Sequence, residues 1–281
     1  MGTDRPFISV IVALLNNSGT LQRCIDSVAA QNYSGKELII IDGGSTDGSV
    51  ELLRKNETRI AYWRSERDRG LYEAFNKALL QAQGDWIYCL GADDYLWQDD
   101  VLARMSSHLQ HAYPPYRIVY GQAAFVSQSG EMLEILGKPW EGFRKRFLQG
   151  FMLPHQATFH HRSLFEVHGP FDESFTSGGD YEMLLRELKT REPLFVPGIV
   201  VAGYQFGGGS SAPENSIEIL RLVRKAQKLN GIRFPGFLWY ASATQTLLRV
   251  LLWKMLGAPR AKRILDWGRA LLGKPPFWTR I

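Results

Sequence analysis

Four acidic residues in this chain, two of them adjacent, have neighbours that suit them to chemistry. Asp93 and Asp94 end the apolar run Trp86-Ile87-Tyr88-Cys89-Leu90-Gly91-Ala92. Adjacent carboxylates repel each other by about 1 kcal/mol or more unless a cation or donor lies between them. A hard divalent ion, Mg or Mn, carrying phosphate oxygens would supply that cation. The plainer alternative is a pair that turns the chain and caps the next helix. Asp180 follows Gly178-Gly179 and opens a helical stretch. It is either an N-cap or a general base, taking the proton of an attacking hydroxyl while a metal at Asp93 and Asp94 neutralises a leaving phosphate. Asp42 closes a second apolar run, Leu38-Ile39-Ile40-Ile41. There it either accepts from the amide or imide N–H of a nucleobase or is satisfied by the Gly43-Gly44 amides.

Other polar clusters carry weaker messages. Glu66-Arg67-Asp68-Arg69-Gly70 sets two cations among two anions ahead of the clearest helix. Arg67 or Arg69 could meet a diphosphate near that helix N-terminus, or the run is a surface salt-bridge cluster. Asp68 ranks above its neighbours because Gly70 lets the backbone come close. His155, His160 and His161 fall in a strand-like segment, where alternation sends His155 and His161 to one face and His160 to the other. That is no zinc spacing. Gly43-Gly44-Ser45 lacks a trailing Gly-Lys-Ser/Thr, and no Gly-x-Gly-x-x-Gly follows any strand, which argues against an NTPase or a dehydrogenase.

Apolar runs that end in carboxylates imply buried strands with helices between them. Phe7 to Leu15 reads as a strand, Asn16-Asn17-Ser18-Gly19 as a turn, and Leu21, Ile25 and Val28 as the buried stripe of a helix ending near Gln31. Glu37 to Asp42 is a second strand, followed by a glycine-rich loop and a helix with Val50 and Leu53 on one side; Ile60 to Glu66 is a third. The helix over 70–83 places Leu71, Ala74, Phe75, Ala78, Leu79 and Ala82 on one stripe and leads into the Trp86 strand. Arg117 to Val126 and Met132 to Leu136 read as a hairpin around Ser127 to Gly130, Pro154 to His161 as a strand, Tyr181 to Glu187 as a short buried helix, and Leu194 to Phe206 as a last strand broken at Pro197-Gly198. This alternation predicts an α/β fold with a mixed, mostly parallel sheet wound by helices. Carboxyl ends of such strands are where open α/β sheets bind ligands.

Gly207 to Ser211 reads as a flexible break, so residues 1–211 form one α/β domain and residues 212–281 a helical C-terminal extension rich in basic and aromatic side chains. The net charge of +5 falls largely in that extension, where Arg249, Lys254, Arg260, Lys262 and Arg263 are mixed with Leu and Trp. The mixture points to an anionic membrane surface and not to nucleic acid. With 45% hydrophobic residues over 281 the chain supports one large core plus such an appendage. Leu247 to Leu256 is too short and too charged to span a bilayer. Cys24 and Cys89 lie in apolar segments as reduced core residues, and Met1 to Pro6 has no leader pattern, so the expected place is the cytoplasm, peripheral on the inner membrane face.

Together these residues resemble the family 2 glycosyltransferases with the GT-A fold, of the bacterial cell-surface polysaccharide type. The carriers are Ser9 to Val12 with Asn16, Ile40 to Gly48, Ser65-Glu66 with Asp68 and Gly70, Ala74 with Asn76-Lys77, Gly84 to Ile87, Ala92-Asp93-Asp94, His155 to Phe159, and Phe171-Asp172-Glu173 leading to Asp180-Tyr181-Glu182. The resemblance covers about Phe7 to Ser210. It implies an inverting, metal-dependent transfer of one sugar from a nucleotide-sugar, with a UDP-sugar favoured, to a hydroxyl of a glycan or lipid-linked saccharide. By the same resemblance Asp42 is the base-binding acid, Asp93 a ribose or phosphate contact and metal neighbour, Asp94 the metal ligand, and Asp180 the catalytic base. Leu15, Asp68, Arg69 and Gly70 join the donor set, and His155 and Gln156 face the acceptor. The family often has an aromatic residue where Leu15 stands and a Glu where Gly179 stands. The Gln-x-x-Arg-Trp signature of processive synthases is absent, since Gln245 to Arg249 has the wrong spacing. The rivals are a nucleotidyltransferase and a non-catalytic nucleotide-sugar-binding protein, the latter having no need of Asp180.

Overall fold

Ile8–Leu14 forms strand β1, and its alternation decides the layering. Val10, Val12 and Leu14 join the core on one side of the sheet while Ile11 joins the core on the other, both sides being buried. In this computed structural model, which describes residues 5–127, 130–205 and 215–280, β1 pairs in parallel with β2 (Lys36–Asp42) and β4 (Trp86–Gly91), and β2 in parallel with β3 (Tyr62–Ser65). Beyond β4 the pairing turns antiparallel to β8 (Thr158–His161) and then to β6 (Ile118–Val126). Strand β9 (Leu194–Gln205) returns parallel to β6, with register shifts beside Gln122, opposite the Pro197-Gly198 interruption. The short β5 (Tyr95–Leu96) closes that edge, and β7 (Met132–Leu136) forms the expected hairpin with β6. The order is β3-β2-β1-β4-β8-β6-β9-β5, so the parallel expectation describes the N-terminal half and the mixed one the rest.

One face is covered by α1 (Ser18–Ala29), α2 (Ser49–Lys55) and α4 (Val101–Ala112); the other by α3 (Leu71–Gln81), α5 (Trp140–Leu148), α6 (Arg162–His168) and α7 (Gly179–Leu188). Cys24 lies in the first layer and Cys89 in the second, both free and buried, so the sheet itself separates them. On α3 the stripe is rotated from the expected one: Leu71 is exposed, and Tyr72 is buried with Ala74, Phe75 and Ala78.

Helix α8 (Ser216–Leu229) is amphipathic as expected, and its Leu222, Val223 and Ala226 join the core beside α7. Helix α9 (Phe237–Leu271) is broken at Gly257, whose φ of 72° no ordinary helical residue adopts, two residues before Pro259. The chain then folds back onto the hairpin. Phe277 stacks on Phe125 at 5.2 Å, Arg280 pairs with Glu131, and the Asp266 carboxylate accepts from the Phe277, Trp278 and Thr279 amides at 2.7–2.8 Å. Among the described residues no helix is long and apolar enough to cross a membrane. The Gly207 to Ser211 break, Phe206 and the hairpin residues Gln128 and Ser129 lie outside the described residues.

Candidate active site

The carboxyl ends of β1 and β4, the start of α3, the turn before β8 and the N-terminus of α7 surround one cavity of about 690 Å³, a size that suits a nucleotide-sugar. Asp93 and Asp94 enter it on the turn after β4. That turn is tight because Gly91 has no side chain: a Cβ there would lie 2.5 Å from Asp94 Oδ2 and 2.9 Å from Asp93 Oδ1, so both carboxylates converge on one spot. Asp94 is only 6% exposed. Burial, and then the charge of Asp93, push its carboxyl well above the usual carboxylate range, with Arg23 the opposing cation. Arg23 donates to the Asp93 carbonyl at 2.8 Å and lies over the Tyr95 ring at 4.4 Å, which fixes it behind the pair.

This arrangement fits a hard divalent ion. The donors are oxygens, they converge, and among the described residues no Lys, Arg or His forms an ion pair with the Asp94 carboxylate. Among the described residues no third His, Cys, Asp or Glu joins them. Such an ion would complete its shell from substrate phosphates and water, the coordination Mg favours.

Asp180 reaches the same cavity from α7. It does not cap that helix. Gly178, with φ of 73°, holds the cap position, and Asp180 falls inside the first turn. Its Oδ1 accepts from the Tyr72 hydroxyl at 3.3 Å, and its Oδ2 lies 3.5 Å from His155 Nδ1. The same hydroxyl accepts from the Gly179 amide at 2.7 Å and the Asp180 amide at 3.3 Å, so one buried phenol ties the helix start to the carboxylate. The Tyr72 ring fills the space a side chain at residue 179 would need, 2.8 Å from the Cβ position. Tyr72 was hidden in the sequence because the stripe was aligned on Leu71; the Tyr72, Phe75 spacing was the available signal.

His155 is not on a strand. A single 3₁₀ turn spans His155–Ala157, held by the Thr158 hydroxyl donating to the Pro154 carbonyl at 2.8 Å, so the expected alternation with His161 fails. Its ring lies 6.4 Å from that of His160, which burial and then the charge of His155 push down to about 3. Gln156 lines the cavity beside it.

The donor residues divide. Leu15, 57% exposed, lines the cavity with Asp68 and Gly70. Asp68 accepts from the Gly70 amide at 3.0 Å, and burial raises its carboxyl. Asp42 is not among the cavity-lining residues. It is fully buried and accepts from the Gly44 and Ser45 amides at 3.2 and 3.0 Å, the Ser45 hydroxyl and the Ser65 hydroxyl, so it organises the glycine loop that Asp68 packs against. Arg69 is also outside the lining, taken up by Glu73 at 2.8 Å and Glu173 at 2.5 Å, as a surface ion-pair cluster would be. Glu182 points away, gripping Arg186 and accepting from Asn230 on α8's end. Tyr204, at the end of β9, lines the cavity without having been anticipated; an aromatic at a strand's end was the only trace.

Comparison with known proteins adds the family context. The model described as glycosyl transferase family 2 matches residues 9–165. A "PGL/p-HBAD biosynthesis glycosyltransferase" of Mycobacterium bovis (strain BCG / Pasteur 1173P2) is 31% identical over 236 residues, covering 81% of this chain and 88% of that protein. Among solved structures, the mannosyltransferase PcManGT from Pyrobaculum calidifontis in complex with GDP-Man and Mn2+ superposes with a TM-score of 0.63 at 17% identity over 99% of this chain and 83% of that one. S. aureus TarS 1–349 in complex with UDP-GlcNAc does so at 0.61 and 18%, over 78% and 66%. At these identities the two structures establish the shared GT-A fold.

Proposed function

We propose a reaction for this chain, which belongs to glycosyl transferase family 2: it transfers one sugar from a nucleotide-sugar, a UDP-sugar by preference, to a hydroxyl with inversion. The observation that carries the reading is that Asp93, Asp94 and Asp180 come from distant parts of the chain to one cavity of about 690 Å³.

In this reading Asp180 accepts the proton of the acceptor hydroxyl as that oxygen attacks the anomeric carbon. Tyr72 holds Oδ1, which leaves Oδ2 on the His155 side for the incoming hydroxyl. Asp94 with Asp93 would hold a divalent ion, which would supply charge neutralisation to the leaving nucleoside diphosphate. Leu15, Asp68 and Gly70 frame the nucleoside side, with Asp42 holding the loop behind them. His155 and Gln156 stand where the acceptor enters. One base on one side of the sugar and one leaving group on the other make a single displacement, hence inversion. Relatives named as glycosyltransferases weigh against the nucleotidyltransferase and the non-catalytic binder. The acceptor in this proposal is a lipid-linked saccharide of cell-surface glycan synthesis, presented at the cytoplasmic face; residues 1–211 carry the catalytic carboxylates, α8 adds a wall to their cavity, and the rest of 212–281 supplies the membrane-facing surface.

The test is Asp180→Asn, which keeps the Tyr72 contact and removes the base. A panel of nucleotide-sugars is screened for cation-dependent thermal stabilisation, and transfer and donor hydrolysis are then measured with the one that binds. The variant should still be stabilised by donor while transfer falls by roughly a hundredfold or more. Near-normal turnover would overturn the assignment of the base.

A further inference from the structure

Helix α8 has two working faces. Glu218, Ile219 and Leu222 line the catalytic cavity, while the opposite side of α8 faces α9 across a groove of about 640 Å³. The floor of that groove is apolar: Ile217, Leu220, Leu229, Trp239, Ala243 and Leu247. Along it stand Arg221, Arg224, Lys225 and Lys228, which helical spacing from 221 to 228 sets on one side of α8. Their charge is largely uncompensated. Arg221 has a loose ion pair with Glu218 at 3.6 Å, both side chains exposed, whereas Arg224 is held by the carbonyls of Ile232 and Arg233, and Lys225 by Ser174 and the Phe175 ring. Among the described residues no carboxylate pairs with Arg224, Lys225 or Lys228. At Leu247 the floor continues into an exposed apolar strip on α9 that includes Leu248, Leu251 and, 72% exposed, Met255.

We propose that this groove seats an anionic lipid, its chain on the apolar floor and its phosphate among the four cations. Charge complementarity selects an anion, and the floor selects a chain attached to it: a free phosphate would leave the apolar residues in water. An acidic peptide would match the cations but lay its backbone polar groups on side chains that offer them no partner. Because α8 is a shared wall, a lipid held there brings its head group beside the catalytic cavity. That the lipid carries the acceptor rests on the glycosyl-transfer reading above, while lipid binding itself does not.

Full-length protein is floated with vesicles of phosphatidylcholine alone and of phosphatidylcholine mixed with phosphatidylglycerol. Binding to the mixed vesicles only is expected. The double variant Arg221→Ala with Lys228→Ala should bind them roughly thirtyfold more weakly, from about fivefold per cation. Arg54→Ala with Lys55→Ala, far from the groove on α2, should bind as wild type. Mixed vesicles with brominated chains should quench a Trp component that Trp239→Phe removes, and inorganic phosphate should not displace the protein. Should Trp239→Phe fail to fold, Leu247→Gln at an exposed groove position replaces it and should weaken binding. Equal binding to neutral vesicles, full binding by the double variant, an unquenched Trp239, or displacement by inorganic phosphate would each overturn the proposal. So would a concentration-dependent dimer that Leu247→Gln dissociates in a protein that floats with no vesicle. Donor-induced thermal stabilisation, measured on the same variants, should persist; its loss from wild type as well would fault the transfer reading and leave the groove standing.

Discussion

Replacing Tyr72 by Phe removes a single hydroxyl and keeps the ring that packs on Phe75 and Phe171. That hydroxyl is buried, with the whole residue 2% exposed. It accepts from the Gly179 amide at 2.7 Å, while its two contacts to Asp180 are both 3.3 Å and weaker. The dominant loss is therefore one buried amide left without an acceptor, about 1–3 kcal/mol. At about 2–4 °C per kcal/mol for a chain of this size, the middle of that range lowers Tm by roughly 4–8 °C. The catalytic loss should be separate: Asp180 keeps its carboxyl group but loses the donor that fixes Oδ1, and misplacement of a catalytic group costs roughly tenfold to a hundredfold in kcat. The donor KM should stay near wild type, since Asp93 and Asp94 sit on a different element. Differential scanning fluorimetry and steady-state transfer assays read both effects. An unchanged Tm would refute the hydrogen-bond argument. A lowered Tm with unchanged kcat would reduce Tyr72 to scaffolding, and a raised donor KM at constant kcat would place Asp180 on the wrong side of the substrate.

Asp94→Asn, like wild type in excess chelator, should lose transfer and the Tm rise caused by Mg or Mn; without metal the variant should be at least as stable as wild type, because it replaces a carboxyl whose charged form is disfavoured by burial and by Asp93. A cation-dependent Tm rise that survives in the variant would move the ion elsewhere. His160 is held neutral by burial, its pKa pushed from 6.5 down to about 3. The folded value is the lower one, so its contribution is complete above the unfolded value and is lost as pH falls from about 6.5 toward 3. His160→Phe should remove about 2 kcal/mol of the stability difference between about pH 8 and pH 5 in urea unfolding, and an unchanged pH slope would contradict that burial. Asp266→Ala removes the acceptor of three amides and the Thr279 hydroxyl, so limited proteolysis should cut the 272–280 segment faster at little cost to transfer; unchanged cleavage would mean that Phe277 on Phe125 suffices.

The strands were legible because both faces of β1, β2 and β4 are covered, which writes them as continuous apolar runs, and their terminal carboxylates mark where ligands gather. Asp93, Asp94 and Asp180 meet in the cavity as their types and positions suggested. The fate of Asp42 was open, since a strand-end carboxylate reads the same whether it faces a ligand or the hydroxyls of Ser45 and Ser65, and Ser65 arrives from another strand. His155 was misplaced because a local Thr158 to Pro154 hydrogen bond turns a segment that looks extended by composition. Helix α4 carries Val101, Met105 and Leu109 at helical spacing and was passed over, whereas α6 has only Ser163 and Leu164 buried along its seven residues, too faint a stripe to read. The groove is a property of two helices and of no local motif.

The fit of the Tyr72 ring against Gly179 has a consequence for how this sequence can change. A Cβ at residue 179 would meet ring carbons at 2.8 Å, closer than real contacts allow, so any larger residue there displaces the Tyr72 ring from its place. Shrinking the ring at 72 to make room would remove the acceptor of the Gly179 amide. The two positions are therefore coupled: a change at either one disturbs what the other holds.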